Sequence, residues 1–171
     1  MSYRTLWMQQ LSTKLILSLL FGIIVLDQLT KYLCNTMLQY NQPLQVFPGF
    51  DLLLVYNTGA AFSFLSDVGG WQRWILAGIS LLVSLGISVW LWRLPRQQVV
   101  LGFALTLVLG GALGNLYDRV VLGHVIDFIS VYVGDWRFAT FNIADSAISI
   151  GAALLALDVF VNGEQHDKAK A

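Results

Sequence analysis

The sequence predicts an all-α membrane protein: a four-transmembrane-helix bundle that carries a small extracytoplasmic β-rich surface segment and a short interfacial helix. Hydrophobic residues make up 57% of the 171 residues and charged residues only 12%, about half the charged fraction of a soluble domain. Four apolar stretches each approach the length of about 20 helical residues that crosses a hydrocarbon core. Tryptophans lie near the ends of these stretches, where aromatic belts form at the membrane surface.

The predicted spans belong to one integral membrane domain over residues 1–171. They cover residues at about 14–34, 71–92, 99–116 and 141–160. No proline interrupts them, since Pro95 lies in the link between the second and third spans. The first stretch has a charge before its apolar core, as a secretory signal does, but it lacks a small-x-small cleavage site and ends in Asp27 and Lys31. We therefore expect a retained span.

The distribution of lysine and arginine predicts the orientation of the bundle. An even number of spans places both termini and the link Arg93–Arg96 on one side of the membrane. That side collects Arg4, Lys14, Arg93, Arg96, Lys168 and Lys170, whereas the other holds Lys31, Arg73, Arg119 and Arg137. Because the side richer in positive charge is usually cytoplasmic, we expect both termini in the cytoplasm.

Two segments then lie on the outer side. The first, at about residues 35–70, contains two short apolar runs, Leu44–Phe47 and Phe50–Tyr56, around a Pro48-Gly49 turn, a pattern that predicts strands. The segment is too apolar for a free loop in water, so we expect it on the membrane surface, with a brief amphipathic helix over residues 59–65. The second, residues 117–140, contains a Gly134-Asp135 turn that can return the chain to the membrane.

The composition also bears on the class of function. The formal net charge is zero, which argues against a nucleic-acid partner. Neither a metal site nor a cofactor site is indicated, because HExxH, P-loop and GxSxG patterns are missing and His124 and His166 are isolated. The single cysteine, Cys34, is interpreted as a small buried residue. A nucleophilic pair of Cys34 with His124 remains an alternative, although nothing in the sequence indicates a group that activates the thiol.

Acidic residues in the apolar segments indicate where chemistry takes place. An aspartate at the centre of a membrane helix costs about 2.5–3.5 kcal/mol on insertion scales, so it persists only when it is paired, protonated or functional. Asp27 and Lys31 are four positions apart on one face of the first span, with the acid N-terminal. We interpret them as a mutually neutralising pair that supports a site, because such a pair is poorly suited to proton transfer.

The segment 110–128 is the densest cluster of small and polar residues. Gly110, Gly111 and Gly114 give the third span a face that another helix can approach closely. Asp118 is interpreted as an ordinary charge at the end of the span, whereas Arg119 can hold carbonyl or carboxylate oxygens with two hydrogen bonds. The apolar neighbours of Asp127 disfavour its ionised form and predict a raised pKa.

The second acid of interest is Asp145, about one turn into the fourth span. Taken alone, Asn142 is explained as an N-cap and Asp145 as an acid tolerated near the positive helix end. On one continuous helix Asp127 and Asp145 would lie about 27 Å apart, but the Gly134-Asp135 turn allows a fold-back that brings both into one outer-leaflet cavity. Two adjacent carboxyls that share a proton can activate a water without a metal, as aspartic peptidases do.

Four motifs, taken in order, resemble the lipoprotein signal peptidase (signal peptidase II) family. They are Asp27-Gln28-x-x-Lys31, Asn57–Ser63, Gly110–Phe128 and Phe141–Ser146. The resemblance implies an aspartic endopeptidase of the bacterial inner membrane, with both termini cytoplasmic and its active site near the extracytoplasmic face. It also implies cleavage of diacylglyceryl-modified prolipoproteins just before the lipid-modified cysteine, by a monomer that needs no cofactor and contacts membrane lipids.

The resemblance also assigns roles to individual residues. Asp127 and Asp145 match the catalytic pair of the family. The positions that match its substrate-binding residues are Asn57, Asn115, Arg119 and Asn142, whereas Asp27 and Lys31 match a motif to which we give a supporting role. The strands at about Leu44–Tyr56 resemble the membrane-surface cradle of the family.

Two other classes of protein remain open from the residues alone. A small transporter could relay protons through its intramembrane acids, although the polar residues cluster at one end instead of lining a path across. A non-catalytic lipid-binding or assembly factor could use the outer segment by itself.

Overall fold

Four long helices carry the fold in the computed structural model, which describes residues 12–59 and 71–168, without the side chains of residues 162–168. They are α1 (Thr13–Met37), α2 (Gln72–Arg93), α3 (Val99–Val121) and α4 (Ile143–Lys168). Each contains an apolar segment long enough to cross a membrane, which in α4 covers Ile143–Val161. The predicted four-helix membrane architecture is confirmed, although α3 continues to Val121 instead of ending near Leu116.

Helix α3 lies at the centre of the bundle, because α1, α2 and α4 each pack against it. The glycines of α3 make this packing close, as the sequence predicts. A Cβ atom on Gly114 would lie 2.6 Å from Oδ2 of Asp27 on α1, and one on Gly111 would overlap the carbonyl oxygen of Ala144 on α4. The backbones of α1 and α4 therefore approach α3 at the end where the polar residues cluster.

The remaining described chain forms one antiparallel sheet in the order β1-β2-β3-β4. Its strands are β1 (Leu44–Phe47), β2 (Phe50–Asn57), β3 (Val125–Val133) and β4 (Trp136–Arg137). The two strands around Pro48-Gly49 confirm the prediction, and Gly49 takes the positive φ of 91° that the turn requires. The sequence did not indicate β3, because its odd and its even positions are both mostly apolar and so do not alternate as those of a half-buried strand do.

The sheet joins the two outer segments and returns the chain to the membrane. Strands β3 and β4 form a hairpin at Gly134, where φ is 59°. Phe141 then pairs with Ile129 of β3, so the chain lies against the sheet just before α4 begins. The fold-back expected from the Gly134-Asp135 turn is therefore confirmed. The interfacial helix predicted over residues 59–65 lies, from residue 60 onward, outside the described part of the chain.

Candidate active site

Asp127 and Asp145 meet at the junction of the sheet with the helices. Asp127 lies in β3, paired with Val55 of β2, and Asp145 lies in the first turn of α4. One side chain joins them: Nδ2 of Asn142 donates to Oδ1 of Asp127 at 2.7 Å, and Oδ1 of Asn142 accepts from the backbone N–H of Asp145 at 2.9 Å. Both aspartates therefore belong to a single site.

Asn142 also caps α4. The side chain of Asn142 accepts from the backbone N–H of Asp145, as described above. In return, Oδ2 of Asp145 accepts from the backbone N–H of Asn142 at 3.2 Å. Such reciprocal bonds form a capping box, which satisfies two backbone donors at the start of a helix. The interpretation of Asn142 as an N-cap is therefore confirmed, and the same cap fixes the position of Asp145 relative to Asp127.

Every oxygen of the two carboxyls accepts a hydrogen bond from the protein. Besides the two bonds from Asn142, Asn57 donates through Nδ2 to Oδ2 of Asp127 at 2.9 Å, and Asn115 donates through Nδ2 to Oδ1 of Asp145 at 2.8 Å. The three asparagines predicted to contact substrate thus hold the carboxyls in this structure. Each oxygen keeps a further lone pair for a water molecule, a substrate or a proton.

The pKa of Asp127 is raised to about 6, mainly because the carboxyl is buried. The hydrogen bond from Asn57 opposes this increase, while the negative charge of Asp145 adds to it. The raised pKa that the apolar neighbours of Asp127 predicted is therefore confirmed. A carboxyl with this pKa can exchange a proton near neutral pH, as a general acid or base must.

Arg119 adds a positive charge beside the two aspartates. Its guanidinium donates to the carbonyl oxygen of Asn115 at 3.3 Å and interacts electrostatically with the carboxyls of Asp145 and Asp127. Among the described residues its guanidinium forms no hydrogen bond to either carboxyl.

A buried ionic cluster lies next to the site, between α1 and α3. Lys31 is 1% exposed and forms ion pairs at 2.7 Å with Asp27 and at 2.8 Å with Asp118. The predicted pairing of Asp27 with Lys31 is confirmed. The cluster also reaches the start of α4, because Oδ1 of Asp27 accepts from the backbone N–H of Ala144 at 2.9 Å.

The interpretation of Asp118 as an ordinary charge at the end of a span is wrong. Its side chain is fully buried, where it accepts from Gln28 at 2.9 Å as well as pairing with Lys31. The ion pair lets the acid lie inside the helix bundle instead of at the water boundary. One signal was available in the sequence: Asp118 follows Gly114 by four positions, so it lies on the face of α3 that α1 approaches.

The nucleophilic pair of Cys34 and His124 gains no support from the contacts of these residues. His124 lies against the ring of Tyr56, with 4.4 Å between ring centroids, and Cys34 lies half-buried in α1. Within the described residues no hydrogen bond joins them, nor does a group of three or more His, Cys, Asp or Glu side chains form that could hold a metal ion.

Comparison with known proteins decides the family. The family described as signal peptidase (SPase) II matches residues 19–161. The chain belongs to the signal peptidase II family. Members of this family are proteases, which favours an enzyme over a transporter or an assembly factor and places Asp127 and Asp145 in a protease.

Named relatives cover most of the chain. It is 57% identical over 140 residues to the lipoprotein signal peptidase of Pseudomonas syringae pv. tomato, covering 81% of each protein. It is 54% identical over 157 residues to that of Ectopseudomonas mendocina, covering 91% of this chain and 92% of the relative. A solved structure of a bacterial membrane enzyme at 1.9 Å resolution is similar with a TM-score of 0.79, at 25% identity over 89% of this chain and 96% of the other.

Proposed function

We propose that this protein is an aspartic endopeptidase that removes the signal peptide from diacylglyceryl-modified bacterial prolipoproteins, cleaving just before the lipid-modified cysteine. The observation that carries the proposal is the pair of carboxyls of Asp127 and Asp145 at one site, where Asn142 donates to the first through Nδ2 and to the second through its backbone N–H. The names of the relatives, all lipoprotein signal peptidases, support this substrate class.

The chemistry uses the two carboxyls in opposite states. The ionised carboxyl removes a proton from a water molecule, whose oxygen attacks the carbonyl carbon of the scissile peptide bond. The protonated carboxyl donates to the carbonyl oxygen, giving a neutral tetrahedral diol. When the C–N bond breaks, the carboxyl that took a proton from water donates it to the leaving amine, and the other carboxyl takes a proton from a hydroxyl group of the diol, which becomes the new carboxyl terminus. Because the two carboxyls share one proton, one of them can act as the base and the other as the acid. All reacting groups belong to the protein, the substrate or water.

We assign Arg119 a role in binding the substrate. Its guanidinium lies in the field of the aspartates, and its planar set of donors is suited to hold a backbone carbonyl of the peptide next to the scissile bond. Asn57, Asn115 and Asn142 keep their predicted place at the substrate because they border the reacting oxygens, while Asp27 and Lys31 support them from α1.

The site would lie at the outer leaflet of the bacterial inner membrane, with both termini in the cytoplasm. The acyl chains of the substrate remain in the bilayer, so the enzyme needs lateral access from lipid together with access to water. Exposed apolar residues of β1, Leu44, Val46 and Phe47, are suited to the membrane surface. We assign the protein as a monomer that contacts membrane lipids directly.

The proposal is tested by reconstituting the protein in lipid with a diacylglyceryl-modified lipobox substrate. We expect Asp127→Asn and Asp145→Asn each to abolish cleavage while membrane insertion is retained. Asp135→Asn is the matched control, since this acid lies exposed in the β3–β4 turn, and it should cleave as the wild type does. Appreciable cleavage by either dyad variant would exclude the mechanism.

A second control addresses the alternative nucleophile. Cys34→Ala should cleave at the wild-type rate because the thiol takes no part in the reaction. Loss of cleavage in this variant would restore the thiol hypothesis.

A further inference from the structure

Three asparagines around Asp127 and Asp145 all present their NH2 groups to carboxyl oxygens. An asparagine amide can point either way, and the surrounding hydrogen bonds decide which end is the donor. Asn57 is fixed by the backbone N–H of Gly59, which donates to its Oδ1 at 2.9 Å. Asn142 is fixed by the backbone N–H of Asp145. The orientation of Asn115 needs a different explanation, because in the described part of the chain the donors to its oxygen are side chains.

Lys31 fixes the amide of Asn115. Its ammonium donates to Oδ1 of Asn115 at 3.0 Å, and an ammonium can only donate. The oxygen of Asn115 must therefore face Lys31, which turns its NH2 group toward Oδ1 of Asp145 at 2.8 Å. A second donor, Nδ2 of Asn142 at 3.2 Å, favours the same orientation.

The ammonium of Lys31 is itself held by buried acids. Asp27 and Asp118 bind it from α1 and α3, and both have additional donors that keep them in place. These donors are the side chain of Gln28 and the backbone N–H groups of Ala144 and Ile126. The two carboxyl groups thus hold the ammonium of Lys31 in place, and the donor that they leave keeps the amide of Asn115 in one orientation.

We propose that Lys31 is a positioning residue that acts on catalysis through Asn115, by holding the Asn115 amide so that it donates to Asp145. Without Lys31, the amide can turn and present its oxygen to Asp145, where two acceptors would face each other. The inference rests on the proposed function of Asp127 and Asp145. It differs from a general supporting role, because a residue that merely braces α1 against α3 would affect the reaction whether or not Asn115 is present.

A double-mutant cycle separates the two roles. Cleavage of the diacylglyceryl lipobox substrate is measured for Lys31→Gln, Asn115→Ala and the double variant, with kcat and KM determined separately. We expect Lys31→Gln to lower kcat about 10- to 100-fold, the factor that corresponds to one hydrogen bond to a charged group, with KM nearly unchanged. In the Asn115→Ala background the same substitution should change kcat less than about twofold, since its target is gone.

Gln28→Leu is the matched control. Gln28 belongs to the same cluster and donates to Asp27, Asp118 and the carbonyl oxygen of Gly114, and none of these bonds involves the side-chain amide of Asn115. Its effect on kcat should be equal in the wild-type and Asn115→Ala backgrounds. Equal effects of Lys31→Gln in both backgrounds would overturn the proposal and leave Lys31 a structural brace.

A second variant keeps the test decisive if Lys31→Gln does not fold. Lys31→Met combined with Asp118→Asn preserves the net charge of the cluster and removes the donor to Asn115. It should reproduce the loss of kcat in the wild-type background and lose its effect when Asn115 is alanine, whereas Asp118→Asn alone should lower kcat less, because Lys31 can still donate to the amide oxygen at position 118 and to Asn115. The proposed function fails in a different way. It would be refuted if the wild-type protein did not cleave the substrate, or if Asp127→Asn cleaved it as well as the wild type does.

Discussion

At the scale of single residues, the buried acids differ in the groups that bind their carboxyls. Asp127, Asp27 and Asp118 are all nearly inaccessible to water, yet only Asp127 lacks an ion pair. Asp27 and Asp118 share the ammonium of Lys31, whereas among the described residues Asp127 has the neutral amides of Asn57 and Asn142 as its hydrogen-bond partners. Neutral donors stabilise a carboxylate less than a cation does, so these amides offset only part of the increase that burial causes in the pKa of Asp127.

The raised pKa of Asp127 predicts a pH dependence of stability. Its pKa is about 6 in the folded protein, against an ordinary value of 3.8 for an aspartate, so the folded state holds the proton more tightly than the unfolded chain. The protonated carboxyl therefore stabilises the folded state fully below pH 3.8, the ordinary pKa. This stabilisation, about 3 kcal/mol in all, is lost as the pH rises through about 6. We expect Asp127→Asn to remove this decrease. The check is to measure the unfolding midpoints of the wild type and of Asp127→Asn in detergent from about pH 4.5 to about pH 7. If the midpoints of both proteins change in parallel with pH, the prediction is wrong.

Removing Asp118 is predicted to destabilise the protein. Asp118→Ala leaves Lys31 with Asp27 as its one acidic partner and removes one of the acceptors of Gln28 inside the bundle. Breaking a buried ion pair in this way typically costs about 3–5 kcal/mol. The exposed Asp135→Ala provides the comparison and should change the free energy of unfolding by less than about 0.5 kcal/mol. Similar denaturation midpoints for the two variants would show that Asp118 lies in contact with water.

At the scale of secondary-structure elements, the first turn of α4 combines capping and chemistry. Asn142 caps the helix and bonds Asp127, while Asp27 of α1 accepts from the N–H of Ala144. A helix N-terminus whose backbone donors are satisfied by its own capping residues and by a side chain from another helix has little freedom to move. The position of Asp145 is therefore determined by α1, β3 and α3 together.

The contact of α3 with α4 predicts the effect of one added methyl group. Gly111→Ala would place a Cβ against the carbonyl oxygen of Ala144, so the two helices must move apart next to Asn115 and Asp145. We expect a loss of about 1–3 kcal/mol of stability together with a lower cleavage rate. Gly86→Ala on α2 is the control, because nothing lies within 4 Å of the added Cβ, and it should stabilise the helix by up to about 1 kcal/mol. Unfolding and cleavage measured on both variants decide the matter.

The elements differ in how far the sequence could predict them. The spans followed from apolar length, and the strands around Pro48-Gly49 from a turn between two apolar runs. Strand β3 was missed because both of its faces are largely covered, so its sequence Val125–Val133 shows no alternation. The pairing of Val55 with Asp127 depends on register between distant segments, which no local pattern contains.

The site residues also differ in how far the sequence could predict them. Asp127 and Asp145 were predictable because acids in apolar segments require a reason, and the resemblance matched the same positions. The buried state of Asp118 was not predictable from its position at the end of an apolar stretch, where a charge usually marks the membrane boundary. The role of the asparagines as donors to the carboxyls depends on three-dimensional contacts among β2, α3 and α4.

At the scale of the whole molecule, the polar site lies at one end of an apolar bundle. The helices supply the apolar surroundings and the sheet closes the same end, so Asp127 is buried although it lies close to water-exposed turns. The opposite end carries the α2–α3 link with Arg93 and Arg96 and the start of α1 with Lys14. This division is what an enzyme needs if its substrate is anchored in lipid and is cleaved by water.

The orientation of the molecule is predicted from these two ends. With both termini cytoplasmic, the β3–β4 turn faces the outside and the α2–α3 link faces the cytoplasm. Single cysteines placed at exposed positions in a Cys34→Ala background test this, with Asp135→Cys for the turn and Gln97→Cys for the link. In intact spheroplasts a membrane-impermeant maleimide should label only the Asp135→Cys protein, and permeabilisation should allow it to label both. The reverse pattern would place the carboxyls of Asp127 and Asp145 on the cytoplasmic side, away from exported prolipoproteins, and the proposed substrate would have to be abandoned together with the orientation.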